Sequence, residues 1–210
     1  MPVAPPETRE FVPGTTGWTV DDLDDPQIER LWDAGRYEIV EGVLTIMPPA
    51  FYDGGFALKR LCRILEDYTV AHELGDGVVM EVDLVLNRRR LPIVDAIFLT
   101  PDELNRQREA HAKTGRRMTL KYGQILIPPT LIIESLSLGH EAHDRETKRR
   151  WYGEAGVPNY WLLDAQQRSL DCLILRAGEY GVDQTGRNEE ILTPSAFPGL
   201  KIPLARLWVE

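Results

Sequence analysis

The segment from Pro129 to Ala165, PTLIIESLSLGHEAHDRETKRRWYGEAGVPNYWLLDA, constrains this chain more than any other. Leu131 to Ile133 reads as a buried strand that ends on a carboxylate, Glu134. A charged helix follows, from about Glu141 to Ala155, and carries Lys148. A second apolar strand, Tyr160 to Leu163, then ends on Asp164. Two apolar strands joined by a helix imply a parallel pair with a crossover connection. Gly153 to Pro158 is a helix stop.

The flanking sequence supplies more strands. Val78 to Leu86 alternates partially, and Ile93 to Leu99 is an apolar run interrupted by Asp95. Tyr37 to Met47 reads as a hairpin turning at Glu41-Gly42. Phe56 to Glu73 has apolar residues at helical spacing. Asp25 and Pro26 open a short helix, as an N-cap followed by a first-turn proline. Thr100 caps another, and residues 105–118 are so charged that they read as an exposed helix or loop. Met118 to Ile127 could add a strand. Ser169 to Arg176 and the residues from Tyr180 look like a closing antiparallel pair. Together these elements predict an α/β fold, a mixed β-sheet core flanked by helices. The proline-rich residues 1–22 read as a flexible lead, and residues 23–210 as one domain.

Bulk properties exclude some functions. No stretch approaches the roughly 20 apolar residues of a membrane span, and the N-terminus lacks signal-peptide character. The expectation is a cytoplasmic protein with no membrane partner. Cys62 and Cys172 read as reduced core cysteines. A formal charge of −9 argues against a general nucleic-acid coat. It leaves room for an enzyme whose bound cation attracts phosphate.

The chemistry lies with the acids. An aspartate inside an apolar strand is costly unless paired or metal-bound, so Asp95 is either a site residue or a structural partner. Glu134 sits at a strand end beside a loop, where α/β proteins place their sites. Two such acids suit a hard cation, magnesium or manganese. Asp144, Lys148 and Tyr152 are spaced by four. Lys148 could stabilise an attacking hydroxide, or merely pair with Asp144 on a solvated face for ~0.3 kcal/mol. Glu38 points either inward to the metal or outward. His140 and His143 lack the H-E-x-x-H spacing and read as capping or surface residues. The clusters Arg88–Arg90, Arg116-Arg117-Lys121 and Arg149-Arg150 either rim a phosphate cleft or are scattered charge.

Three blocks resemble the Uma-two family of restriction-endonuclease-like proteins: YEIVEGVLTIMPP, LIIESLS and DRETKRRWYGEAGVPNYWLLD, in matching order from about Tyr37 to about Tyr180. That resemblance implies the restriction-endonuclease-like fold of the PD-(D/E)XK nucleases. It implies Asp95 as the aspartate of the Pro-Asp pair, Glu134 as the second acid and Glu38 as an acid of the first block. The usual lysine two residues after Glu134 is replaced by Leu136, and Lys148 takes its place. Val94 stands where the family has proline, Leu138-Gly139-His140 replaces a Pro-Ser-Thr-like run, and Asp53-Gly54-Gly55 stands where a histidine is frequent.

The implied activity is a metal-dependent endonuclease acting on DNA. Asp95 and Glu134 would bind Mg2+ or Mn2+ with the Ser135 carbonyl, and Lys148 would orient the water. A homodimer would suit a two-strand cut. The alternatives are an inactive scaffold that binds or regulates, and a metal phosphoesterase for small substrates.

Overall fold

The computed structural model describes residues 10–47, 52–74, 77–114, 124–137, 139 and 141–209. Its centre is a seven-stranded mixed sheet in the order β5-β3-β4-β6-β7-β8-β9. In chain order these strands are β3 (Val78–Leu84), β4 (Ile93–Phe98), β5 (Gln124–Ile125), β6 (Leu131–Ser135), β7 (Asn159–Asp164), β8 (Ser169–Arg176) and β9 (Glu179–Arg187). A separate hairpin joins β1 (Tyr37–Val40) to β2 (Val43–Ile46), and a small pair joins β10 (Ile191–Leu192) to β11 (Ile202–Pro203). The expected α/β architecture, a mixed sheet flanked by helices, is what forms.

The crossover read from Leu131 to Asp164 is present. β6 and β7 run parallel, with Ile132 paired to Tyr160 and Glu134 to Leu162. Alternation decides what each face packs against. Leu131, Ile133, Trp161 and Leu163 bury against the long helix α2 (Tyr52–Ala71), through Leu58, Leu61 and Leu65. Ile97, Ile132 and Leu162 bury on the other face with Tyr152 and Tyr160. Glu134 follows Ile132 by two residues, so it faces that second side.

The hairpin β1–β2 turns at Glu41 and Gly42, with φ of 51° and 80°. Positive φ at both central residues is the type I′ turn that suits strand twist. The hairpin is tied to the main sheet where Ile39 and Leu91 exchange two backbone hydrogen bonds, at 3.1 and 2.9 Å. The described part of the N-terminal segment, residues 10–22, is not the flexible lead expected from its prolines: backbone hydrogen bonds such as Trp18 N–H to the Gly42 carbonyl hold it over this hairpin. Trp18 and Val20 are buried in a cluster with Ile39, Leu44 and Leu91.

Helix α1 (Pro26–Asp33) starts as read, with Asp25 accepting a hydrogen bond from the Gln27 amide. Helix α3 (Pro101–Thr114) is continuous, and its inner face is polar rather than exposed. Gln107 and His111 are buried because they satisfy backbone groups beyond the helix. Gln107 donates to the Ile127 carbonyl and accepts from the Leu126 and Ile127 amides. His111 Nε2 sits 2.8 Å from the Gln124 carbonyl. That is why the segment lacks apolar periodicity. Of the strand expected over Met118–Ile127, Gln124–Ile125 forms β5, and residues 118–123 lie outside the described set. Both cysteines are buried and free. Among the described residues no helix is long and apolar enough to cross a membrane.

Candidate active site

The largest departure from the expected α-helix is local. Residues His143–Lys148 form a π-helical stretch, and only Arg149–Glu154, α4, continues as α-helix. Such wide turns recur at functional sites. Here the stretch delivers His143, Asp144 and Lys148 to the open end of the sheet.

The acids arrive from three strands. β4 and β6 pair antiparallel, with Ala96 opposite Ile133; one residue further along that register sets Asp95 opposite Glu134. The Ser135 amide donates to Asp95 Oδ2 at 2.8 Å, and the Asp95 amide reaches Glu134 Oε2 at 3.4 Å. Glu38 comes from β1, fully buried, and accepts from the Ile93 amide at 3.0 Å. The Ile39–Leu91 tie fixes its position.

Lys148 joins these acids. Its Nζ donates to the Ile93 carbonyl at 2.9 Å and to Glu134 Oε1 at 3.1 Å. Glu38 Oε1 is also 3.1 Å away, and Asp144 Oδ1 is 3.6 Å away. Tyr152 donates to Glu134 Oε1 at 2.7 Å. Asp95, Glu134, Glu38 and Lys148 therefore line one cavity of about 40 Å3, together with Arg36, Ser135 and Asp144. The structure brings together the five residues read as catalytic or metal-binding, Asp95, Glu134, Ser135, Lys148 and Glu38.

Burial governs the charges. It pushes the Asp95 and Asp144 carboxyls up and Glu134 well up, against the opposing pull of Lys148. Burial would raise Glu38 too, but Lys148 and His143 outweigh it and hold that carboxyl below its usual range. Burial works against the Lys148 ammonium, and the surrounding carboxylates reverse this, so it stays protonated.

Sequence reasoning missed two residues. His143 was expected to be a cap or surface residue. Instead its Nε2 lies 3.4 Å from Glu38 Oε2, and its ring stands edge-on to Trp151. In α-helical geometry residues 143 and 148 face different ways, whereas the wider π-helical turn, with its i→i+5 hydrogen bonds, brings residues five apart to nearly the same side. Arg36 also lines the cavity, and its only sequence signal is its place two residues before Glu38. Arg88, Arg89 and Arg90 do not rim the cleft. They hold the hairpin and α4, through Asp21, the Glu41 carbonyl, and the Glu41 and Glu154 carboxylates. Arg149 donates to the Tyr180 carbonyl, and Arg150 pairs with Glu154. Asp164 pairs with Arg145 away from the cavity. His140 and the cluster Arg116-Arg117-Lys121 lie outside the described residues.

Comparison with known proteins agrees with this architecture. A family model, Uma2, described as "Putative restriction endonuclease", matches residues 25–205. No curated protein matches the chain. Among solved structures, the chain is similar to a "putative nuclease belonging to DUF820" from Anabaena variabilis ATCC 29413. That similarity has a TM-score of 0.61 and 14% identity, and covers 81% of this chain and 88% of the other. The chain belongs to the Uma2 family.

Proposed function

We propose that this member of the Uma2 family is a metal-dependent endonuclease that hydrolyses DNA phosphodiester bonds. The observation that carries this reading is the convergence of Asp95, Glu134 and Lys148 on one small cavity with a surplus of negative charge. Four carboxylates, Glu38, Asp95, Glu134 and Asp144, face two cations, Arg36 and Lys148. A phosphodiester cannot approach such a centre unless further positive charge is present.

A magnesium or manganese ion fits that need. Asp95 and Glu134 would hold it, with the Ser135 main-chain carbonyl as a third oxygen. Among the described residues no three His, Cys, Asp or Glu side chains form a ready cage. Magnesium is suited to this, since it commonly binds through one or two carboxylates and keeps waters and substrate oxygens for the rest. When bound, the cation would supply Lewis acidity and a water of lowered pKa.

The chain's own residues do the rest. Lys148 places a fixed positive charge 3.1 Å from Glu134, favouring ionised acids and the negative charge that develops on the attacking oxygen. Glu38 Oε1 holds the same ammonium, also at 3.1 Å. The cavity is far below the roughly 300 Å3 of a small-ligand pocket. This favours a phosphate presented from outside, on a polymer, over an engulfed small substrate. The reading also includes one catalytic domain over residues 23–210, a cytoplasmic location and a homodimer for two-strand cuts.

Nicking of supercoiled plasmid with magnesium or manganese tests it. Wild-type protein should relax the plasmid, and Asp95→Asn or Glu134→Gln should not. Full metal-stimulated nicking by Asp95→Asn would refute the assignment. Calorimetric titration with manganese then separates an enzyme from an inactive scaffold, which should show no binding that depends on Glu134.

A further inference from the structure

The two cations of the cavity differ in their free hydrogen-bond donors. An ammonium has three N–H groups. Those of Lys148 face the Ile93 carbonyl, Glu134 Oε1 and Glu38 Oε1, all within 3.1 Å. Lys148 is also 3% exposed, and with its three donors engaged it has none left for a substrate oxygen.

Arg36 is the opposite case. A guanidinium offers five N–H donors in a planar fork that matches phosphate. Nη1 meets Glu81 Oε1. Nη2 stands 3.8 Å from Asp95 Oδ1, beyond hydrogen-bond range. Nε is buried and has no hydrogen-bond partner. The backbone fixes this residue from behind, because the Met47 amide donates to its carbonyl at 2.8 Å.

Glu81 completes the arrangement. In the register that pairs Met80 with Ala96 and Val82 with Val94, it falls opposite Asp95. It sits in a strand at φ 53°, a left-handed conformation uncommon for glutamate. Strain of this kind collects where a side chain must be held in place. Its side chain is 48% exposed, against 24% for Arg36, and pairs with the arginine.

We infer that Arg36 receives the non-bridging oxygens of the scissile phosphodiester and that Glu81 is a placeholder anion, which releases the fork when substrate arrives. The nature of the anion rests on the nuclease reading; the anion site itself does not. Lys148 then sets the charge of the acids, and Arg36 makes the contact.

Two measurements test this. In the first, dimethyl phosphate is titrated into the full chain while the Arg36 Nε–H signal, assigned by its loss in Arg36→Lys, is followed by NMR. That signal should shift saturably, with several-fold tighter binding in Glu81→Gln. An unmoved Arg36 signal, or no tightening in Glu81→Gln, overturns the proposal. In the second, cleavage of an oligonucleotide is followed with magnesium. Arg36→Lys keeps the charge but loses the fork, so kcat should fall tenfold or more with the thermal midpoint nearly unchanged. Ethylguanidinium should restore part of the activity lost in Arg36→Ala. A saturable shift without cleavage by wild type supports the anion site while ending the nuclease reading. Cleavage that is indifferent to Arg36→Lys ends the proposal and leaves the nuclease reading intact.

Discussion

The ammonium of Lys148 lies 3.1 Å from Oε1 of Glu134, and each of the two residues is 97% buried or more. An ion pair this deep gains its energy from mutual compensation, because each charge alone would be stranded in a low dielectric. Lys148→Met would leave Glu134, Glu38 and Asp144 without their common partner. The expected cost is about 3–5 kcal/mol in urea unfolding, along with loss of activity. Lys148→Met combined with Glu134→Gln should recover about 1–3 kcal/mol relative to the sum of the single changes. Strict additivity would show that the two groups are not coupled.

His143 supports the same centre through Glu38. Glu38 Oε2 and His143 Nε2 face each other at 3.4 Å, and both atoms are buried without another hydrogen-bond partner. Lys148 and His143 together hold Glu38 below its usual range against burial. With His143→Ala, Glu38 should titrate at higher pH. The acid limb of a pH–rate profile should move upward, and activity at neutral pH should drop about tenfold, as for residues that orient a metal site. An unmoved acid limb would place His143 outside the machinery.

How much of this was legible in the sequence depends on which physical rule applied. Leu131–Glu134 and Asp95 could be read because an acid within or ending an apolar strand breaks a simple pattern. Lys148 could be found through the family resemblance, because its spacing from Asp144 by itself fits an ordinary solvated helix pair equally well. His143 could not, because rules for facing residues assume an α-helix and this turn is π-helical. Gln107 and His111 on α3 hid behind their polarity, since hydrogen bonds rather than apolar contacts bury them. Arg36 and Glu81 meet only through the strand register and the hairpin, which no local spacing records.

Asp83 gives the fold a pH dependence that can be worked out with its sign. It is 2% exposed and accepts a hydrogen bond from Trp32 Nε1 at 2.8 Å. Burial raises its carboxyl to about 7. An unfolded aspartate titrates near pH ~4. Between those values the folded state holds a proton that the unfolded state has released, so stability falls as pH rises from about 4 to 7. Asp83→Asn keeps an acceptor for Trp32 and removes the charge. Its thermal midpoint should exceed wild type at pH 8, reflecting a stability difference on the order of a few kcal/mol, and match it near pH 4. A midpoint difference that is the same at both pH values would mean that the burial cost lies elsewhere.

Tyr152→Phe isolates one hydrogen bond within the site. The hydroxyl donates to Glu134 Oε1 at 2.7 Å from a fully buried ring. Burial, reinforced by the neighbouring Glu134 carboxylate, keeps this phenol protonated well beyond its usual range, so it remains a donor at any working pH. Removing the oxygen leaves the packing of the ring intact and withdraws one charge-assisted bond, worth about 1.5–3 kcal/mol. Glu134, already pushed well up by burial, loses an interaction that favours its ionised form. Manganese affinity at neutral pH should therefore fall about tenfold, recovering as pH is raised, while the far-ultraviolet circular dichroism stays unchanged. Equal manganese affinity in the two proteins across that pH range would show that Glu134 does not need Tyr152 to stay ionised, or does not hold the ion.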